Sequence, residues 1–164
     1  MITYLTPFRP VQTLSLLLLG FCGATAQTLQ VAPVTMDRGS ANILRITLKP
    51  DPARPLTALQ WDLVYRSGLR IEPAGLVAGS IAESAGKVLT CGRKSAQGVN
   101  QRLTCILAGG IKVMSAGVIA IVRLEATGEA PKGKLLVDLE NVVGVSPALE
   151  HVSIEGAQAS VTIR

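Results

Sequence analysis

Aromatic residues and histidine are scarce in this sequence, and their scarcity argues against several classes of function. Phe, Trp and Tyr together make up 3% of the 164 residues, and His151 is the one histidine. Glu150 and Ser153 lie near it, but adjacent residues of a strand point to opposite faces, and no nucleophile motif accompanies them. We therefore expect a protein without enzymatic activity, in which His151 is a solvent-exposed residue of a loop or strand start.

Patterns that would mark a metal site or a nucleic-acid site are also missing from the sequence. The charges of both signs are scattered, and no basic stripe is interleaved with aromatic residues, so we expect no nucleic-acid binding. We expect no cofactor and no metal site; the alternative that the sequence leaves is a weakly bound structural calcium ion. The acidic residues are dispersed without the spacing of a calcium or zinc site: Asp37, Asp51, Asp62 and Asp138.

Residues 1–26 have the features of a secretory signal peptide. Arg9 is their single charged residue, an apolar run covers residues 14–21, and the segment ends in Ala24-Thr25-Ala26, a small-x-small cleavage pattern. An uncleaved anchor is the alternative, but the apolar run is shorter than the ~20 residues that span a bilayer. We expect cleavage after Ala26 and an extracytoplasmic protein, secreted or periplasmic, that is not attached to a membrane.

Residues 27–164 have the length of one domain. They number 138 and carry 15 basic and 11 acidic side chains, a net charge of +4. A chain of this length buries a substantial core within a single domain. We read Cys22 as lost with the signal, because Phe21 stands where a lipoprotein signal requires a small residue. An oxidising compartment then favours a disulfide between Cys91 and Cys105, with two separate buried thiols as the alternative.

The hydrophobic pattern of residues 27–164 is that of an all-β protein. Apolar and β-branched residues recur at period two between Gly, Pro, Asn and Ser residues, and no window of helical length has a convincing 3.6-residue period. About nine short strands imply a sandwich or jelly roll, with a possible short helical turn within residues 79–86. The predicted strands are Leu29–Val34, Ile43–Lys49, Leu59–Tyr65, Leu69–Val77, Lys87–Arg93, Gln101–Ala108, Gly117–Thr127, Leu135–Val145 and His151–Ile163.

Three of these strands allow more detailed predictions. Pairing of the 87–93 and 101–108 strands about Gly98 sets Cys91 opposite Cys105. The 59–65 strand holds both aromatic residues of the 27–164 segment, and strand side chains alternate between two faces. The apolar face, expected in the core, contains Leu59, Trp61, Leu63 and Tyr65. The face expected to point outward contains Gln60, Asp62, Val64 and Arg66.

The order of these elements resembles the cohesin domain, the module of cellulosome scaffolds that receives the dockerin of a polysaccharide-degrading enzyme. The resemblance covers nearly all of residues 27–164 and implies a nine-stranded jelly-roll β-sandwich related to the carbohydrate-binding modules of cellulases. The matching pieces are the Leu59–Tyr65 strand with Leu69-Arg70-Ile71, Gly79-Ser80-Ile81, Gly117–Leu124, Asn141-Val142-Val143, Gly156 and the alternating Ala159–Ile163 segment.

The resemblance also implies a binding face. In the family the dockerin lies on a sheet whose strands correspond here to the Leu135, Trp61, Gln101 and Lys87 strands. Arg66 departs from the aspartate that family members often carry at its position. The implied partner-binding residues are Gln60, Asp62, Val64, Asp138 and Glu140. Thr90, Arg102 and Thr104 are weaker candidates, because the sequence does not decide which side chains of their hairpin point outward. Ordinary solvated strand residues are the alternative at all these positions.

The function implied by the resemblance is that of an exported, non-catalytic protein-interaction module with a dockerin-like partner, in a context of polysaccharide degradation. Direct carbohydrate binding is a first alternative. Sugar platforms stack on exposed aromatic rings, however, and Trp61 and Tyr65 lie on the face assigned to the core. A component of cell-envelope assembly or adhesion is a further alternative that the sequence does not separate from the first.

Overall fold

The computed structural model describes residues 26–164, without the side chains of residues 95–97. The predicted signal peptide lies outside the described residues except for Ala26. The described strands form two sheets that enclose the core, so the predicted all-β sandwich is confirmed. In chain order the strands are β1 (Thr28–Val31), β2 (Val34–Met36), β3 (Ala41–Lys49), β4 (Ala58–Arg66), β5 (Leu69–Arg70), β6 (Leu76–Ala78), β7 (Val88–Gln97), β8 (Asn100–Ala108), β9 (Gly117–Ala126), β10 (Gly133–Val145), β11 (His151–Ser153) and β12 (Gln158–Ile163).

Twelve strands replace the nine predicted ones, because three of the predicted strands are divided. Pro33 separates β1 from β2, as expected for a residue without a backbone N–H for the ladder. A 3-10 turn at Pro73–Gly75 separates β5 from β6. β11 and β12 divide the predicted 151–163 strand. The predicted helical turn is confirmed as the short helix α1 (Ser80–Ser84).

The first sheet has five strands in the order β1-β3-β9-β5, with β6 also paired to β9. β9 therefore has a partner on both sides and is a central strand of this sheet. On β3, the side chains of Leu44, Ile46 and Leu48 are buried while Arg45 and Lys49 are exposed, as the period-two pattern predicts.

The second sheet has seven strands in the order β2-β12-β10-β4-β8-β7, with β11 also paired to β10. Within it, β10, β4, β8 and β7 are the Leu135, Trp61, Gln101 and Lys87 strands, and they are neighbours in the order that the resemblance implies. This order sets the outward side chains of four strands side by side on one surface.

The core lies between the sheets and is anchored by the aromatic face of β4. Trp61 is 0% exposed and Tyr65 is also buried, so the prediction that both rings belong to the core is confirmed. Cys91 is paired with Cys105 in the β7–β8 register, and the predicted disulfide joins them. Cys105 is in turn opposite Trp61, so the disulfide and the indole belong to one cross-strand row.

Candidate functional site

The five predicted partner-binding residues come together on the outer face of the seven-stranded sheet. In the β10–β4 register Asp62 is opposite Glu140, and Val64 is opposite Asp138. Gln60 lies two residues before Asp62 on the same face of β4 and is exposed. The sequence therefore identified one continuous surface, which we call the β4 face: the outward side chains of β10, β4, β8 and β7.

The centre of the β4 face is a network of hydrogen bonds around the carboxylate of Asp62. Thr104 Oγ1 donates to Oδ1 over 2.6 Å, and Arg102 Nη1 donates to Oδ2 over 2.8 Å. Asn141 Nδ2 donates to Oδ2 over 2.8 Å. The Lys94 ammonium lies 3.6 Å from Oδ1. Four neighbours from three strands thus converge on a single carboxylate.

This network sets the protonation state of Asp62. Burial alone would raise the pKa of the carboxyl group, because a low-dielectric environment disfavours the charged form. Hydrogen bonds from Thr104, Asn141 and Arg102, together with the charge of Lys94, outweigh burial and lower the pKa of Asp62 to about 2. The group is therefore an ionised acceptor throughout the neutral range.

Two of the predicted residues are less accessible than expected. Asp62 is 2% exposed and Val64 is 4% exposed, so both lie on the outer side of the sheet but offer little accessible surface. Arg102 explains the difference: it is paired with Val64 in the β8–β4 register. Its guanidinium nevertheless reaches both Asp62 and Glu140, and the side chain must therefore cross β4. Gln60 and Glu140 remain exposed, and Asp138 is half-buried.

The strand register also decides which side chains of the β7–β8 hairpin point outward, which the sequence did not determine. Thr90 is opposite Ile106, and Ile106 is opposite Gln60, so all three share the outer face. Thr104 and Arg102 share it as well, since they contact Asp62. The three weaker candidates therefore belong to the β4 face, and two of them are partners of its central carboxylate.

Asn141 is a member of the network that the sequence did not single out as a site residue. The β4–β10 register shifts between Glu140 and Val143, which marks a β-bulge. Asn141 lies within this bulge with φ of 49°, in the left-handed region that Asn tolerates better than most residues. The bulge turns its amide toward Asp62. An Asn directly after Glu140, which interrupts the alternation of polar and apolar residues in this strand, was the available signal, but that interruption does not by itself reveal a bulge.

Beside the polar network the β4 face contains an apolar hollow of about 250 Å³. Ile106 is its most exposed apolar residue, at 46%. Gln60 stands between the hollow and Asp62, because it is opposite Ile106 on one side and Val143 on the other. The hollow is lined by Ala58, Leu59, Gln60, Ile106, Val143, Val145 and His151. The face thus combines a fixed polar cluster with a place for an apolar side chain.

Other kinds of site find little support in the described part of the chain. Residues 26–164 contain no group of three or more His, Cys, Asp or Glu side chains placed to hold a metal ion. His151 is exposed at the start of β11, as predicted, and borders a depression of about 560 Å³. No helix within residues 26–164 has both the length and the apolar character needed to cross a membrane.

Comparisons by sequence give no relatives: no protein-family model and no curated protein matches the chain. Solved structures do match. A non-cellulosomal cohesin from the hyperthermophilic archaeon Archaeoglobus fulgidus superimposes with a TM-score of 0.67 at 12% identity, covering 85% of this chain and 92% of that one. The sixth cohesin of scaffoldin B from Acetivibrio cellulolyticus, solved with a Cel5 dockerin, gives 0.66 at 17% identity and covers 85% and 100%.

A third match is the cohesin module of a family 33 glycoside hydrolase from Clostridium perfringens. Its TM-score is 0.63 at 11% identity, with 85% of this chain and 96% of that module covered. The superpositions extend over nearly the whole of each module. The chain therefore has a cohesin-like fold, which confirms the expectation drawn from the order of its elements.

Proposed function

We propose that residues 27–164 form an exported, non-catalytic module that binds a protein partner of the dockerin kind on the β4 face. The observation that carries the proposal is the combination, on one exposed sheet surface, of a buried and fully engaged carboxylate with an adjacent apolar hollow. The Asp62 network lies on the outer side of the sheet and does not belong to the core between the two sheets.

The Asp62 network fixes the polar part of the surface before any partner arrives. Arg102 donates to Asp62 and to Glu140, both over 2.8 Å, so its guanidinium is held in one position. A side chain that is already ordered loses little further entropy when it becomes part of an interface. A buried ion pair is often no more stabilising than well-packed apolar residues in its place, although removal of one partner alone is costly. The network is therefore suited to recognition.

The apolar hollow supplies the other part of an interface. Protein interfaces combine a desolvated apolar centre with a polar rim, and a few anchors carry most of the binding energy. Here Ile106 and Val143 offer apolar surface, while Gln60 offers an amide between them and the network. One apolar side chain of a partner would fill the hollow, while polar groups of the partner contact Glu140 and Lys94.

The solved matches support the class of partner. The Acetivibrio cellulolyticus cohesin was solved with a dockerin bound. The Clostridium perfringens module comes from a glycoside hydrolase, which favours a context of polysaccharide degradation for this chain. The Archaeoglobus fulgidus cohesin is non-cellulosomal, so a cohesin fold does not by itself imply a cellulosome. Envelope assembly or adhesion is the alternative context for this chain.

Affinity capture tests the proposal. The natural protein is purified from the cells that produce it and immobilised at micromolar concentration. It is then exposed to the extracytoplasmic proteins of the same cells in the presence of calcium. We expect a captured protein with Asp-x-Asp-x-Asp-Gly loops, and we expect EDTA to elute it because such loops bind calcium through their oxygen ligands. Export is tested by N-terminal sequencing of the purified module itself, for which we expect Gln27 as the first residue.

A matched variant makes the capture specific to the β4 face. Ile106→Arg places a long charged side chain over the hollow, on a residue that is already exposed, so the fold is retained. Recovery of no protein by the natural chain, or equal recovery by Ile106→Arg, would contradict the proposal.

A further inference from the structure

A second apolar hollow lies on the outer face of the five-stranded sheet, on the opposite side of the sandwich from Asp62. Its volume is about 430 Å³. Ile121 of β9 forms its floor, and it is bordered by Ile43 of β3 and Val77 of β6. Ile43 is 45% exposed and Val77 is 52% exposed. We call this surface the β9 face.

Small residues create the hollow. Ala74 and Gly75 form the 3-10 turn that leads into β6 and line the hollow on that side. A Cβ atom at Gly75 would lie 3.3 Å from the Cβ of Arg123, which shows how closely the turn approaches β9. Larger side chains at these two positions would fill the space beside Ile121.

Two arginines lie beside the hollow. Arg123 lines it and is opposite Ile43, and Arg45 is the cross-strand neighbour of Ile121 in the β3–β9 register. Among residues 26–164, neither guanidinium lies within 4.0 Å of a carboxylate oxygen. Glu125 lies two residues beyond Arg123 on β9, opposite Ala41 at the edge of the hollow. The two arginines therefore outnumber the one carboxylate on the strands that border the hollow, and neither arginine is held in an ion pair within the described part of the chain.

We infer that the β9 face is a second docking site, which binds an acidic peptide segment of another protein. One large apolar side chain of that segment fills the space between Ile43, Ile121 and Val77. Carboxylates on either side of it pair with Arg45 and Arg123. The inference concerns a different sheet from the proposed function and does not depend on it.

The same features argue against other occupants. A second copy of this chain, docked face to face about a two-fold axis, would bring two sets of arginines together. A membrane surface requires protruding apolar side chains, whereas this surface is concave. Sugar recognition requires exposed aromatic rings, and Trp61 and Tyr65, the two aromatic residues of 27–164, are buried. An acidic segment with an apolar anchor satisfies both the charge and the shape.

Occupation of both faces would make the module a bridge. The β4 face and the β9 face belong to different sheets of the sandwich, so a partner on one does not obstruct the other. A protein that holds a folded partner on one side and a short acidic segment on the other can join two components of an assembly.

Selection from a displayed heptapeptide library tests the inference. The natural protein serves as bait, with counter-selection on the variant that carries both Arg45→Glu and Arg123→Glu. We expect enriched peptides to contain Asp or Glu on either side of Leu, Ile, Phe or Met. No enrichment, or enrichment of peptides without acidic residues, would overturn the inference.

Binding of an enriched peptide is then measured by fluorescence polarisation. The Arg45→Glu and Arg123→Glu double variant should weaken binding by about tenfold or more, because two ion pairs are replaced by repulsion. Val77→Glu should act similarly by charging the hollow. Lys49→Glu, an equal charge reversal on the same sheet, and Ile106→Arg on the β4 face should stay within about twofold.

Three results would contradict the assignment. Peptide binding that persists in the double variant would show that the arginines are not used. Self-association in sedimentation equilibrium that the double variant abolishes would assign the face to a second copy of the chain. Co-sedimentation with phosphatidylglycerol vesicles that Val77→Glu abolishes would assign it to a membrane.

Discussion

Arg102 Nη1 donates a hydrogen bond of 2.8 Å to Asp62 Oδ2, although Asp62 is paired with Thr104 and Arg102 is paired with Val64. The contact is therefore diagonal, and the Arg102 side chain passes over β4 on its way to Glu140. Because of this path, a carboxylate on the solvent side of a sheet becomes buried. The same path orders the guanidinium at the centre of the β4 face, so one contact links the stability of the sheet to its proposed use.

Removal of the Asp62 charge should destabilise the fold in a pH-dependent manner. Asp62→Asn at pH 7 should lower the free energy of unfolding by about 2–4 kcal/mol, because Arg102 and Thr104 lose a charged acceptor. The folded pKa of Asp62 is about 2, below the value of about 3.9 of an unfolded chain. Its contribution is therefore complete above about pH 4 and is lost as the pH falls toward 2.

Denaturant unfolding of the natural chain and of Asp62→Asn between pH 2 and pH 7 measures this effect. Asp51 and Glu72 also have a lowered pKa, through hydrogen bonds to their carboxylates, so both proteins should lose stability in acid. The natural chain should lose more, by about 2 kcal/mol between pH 5 and pH 2. Parallel pH curves for the two proteins would show that Asp62 is not held in the described network.

Two substitutions at Asn141 separate its backbone role from its side-chain role. Asn141→Gly removes the hydrogen bond to Asp62 but retains the positive φ, and should lower the free energy of unfolding by about 1 kcal/mol. Asn141→Ala removes the same hydrogen bond but keeps a Cβ in the left-handed region, without the polar side chain that lets Asn tolerate it, which costs about 1 kcal/mol more than Gly. Thermal or denaturant unfolding should rank the natural chain above Asn141→Gly and Asn141→Ala last. An Ala variant as stable as the Gly variant would argue against the bulge conformation.

The Cys91–Cys105 bond should stabilise the domain substantially. It closes a loop with a sequence separation of 14, and the chain-entropy model assigns about 3 kcal/mol to a loop of that size. Replacement of both cysteines by Ala should lower the free energy of unfolding by a similar amount, and reductant should destabilise the natural chain but not the variant. Mass spectrometry under non-reducing conditions checks the bond directly; two free thiols would contradict it.

Trp61 should report on folding and not on sugars. Its ring is fully buried opposite Cys105, so its fluorescence should be blue-shifted in the native protein and should shift red on unfolding. Soluble glycans should leave the emission unchanged, and insoluble cellulose should not deplete the protein from solution. Quenching of Trp61 fluorescence by a glycan, or depletion of the protein by cellulose, would instead support direct carbohydrate binding.

Much of the architecture was predictable because it depends on local patterns. Alternation over residues 59–65 assigned Trp61 and Tyr65 to the core, and turn chemistry about Gly98 set Cys91 opposite Cys105. The division of strands at Pro33 and Pro73 was less predictable, since an extended chain that contains proline can either continue along a sheet edge or turn. The order of the four strands beneath the β4 face came from the resemblance and not from periodicity.

The arrangement of the site was predictable only in part, because it depends on long side chains and on a change of register. Period-two alternation correctly placed Asp62 and Val64 on the outer face of the sheet. It gives no information on Arg102, whose side chain crosses the neighbouring strand and covers both residues. The role of Asn141 requires the bulge between Glu140 and Val143. Burial on the solvent side of a sheet is decided by neighbours in space, which the sequence of one strand does not contain.

The most direct measurement of the proposed function is the dissociation constant of the captured partner for a matched pair of variants. Ile106 on the β4 face and Ile43 on the β9 face are exposed to nearly the same extent, 46% and 45%. Ile106→Arg should weaken binding of the dockerin-like partner by about 30-fold or more, the effect of disrupting an interface anchor, while Ile43→Arg leaves it unchanged. Equal affinity of the natural chain and Ile106→Arg, or an equal loss in both variants, would contradict docking on the β4 face.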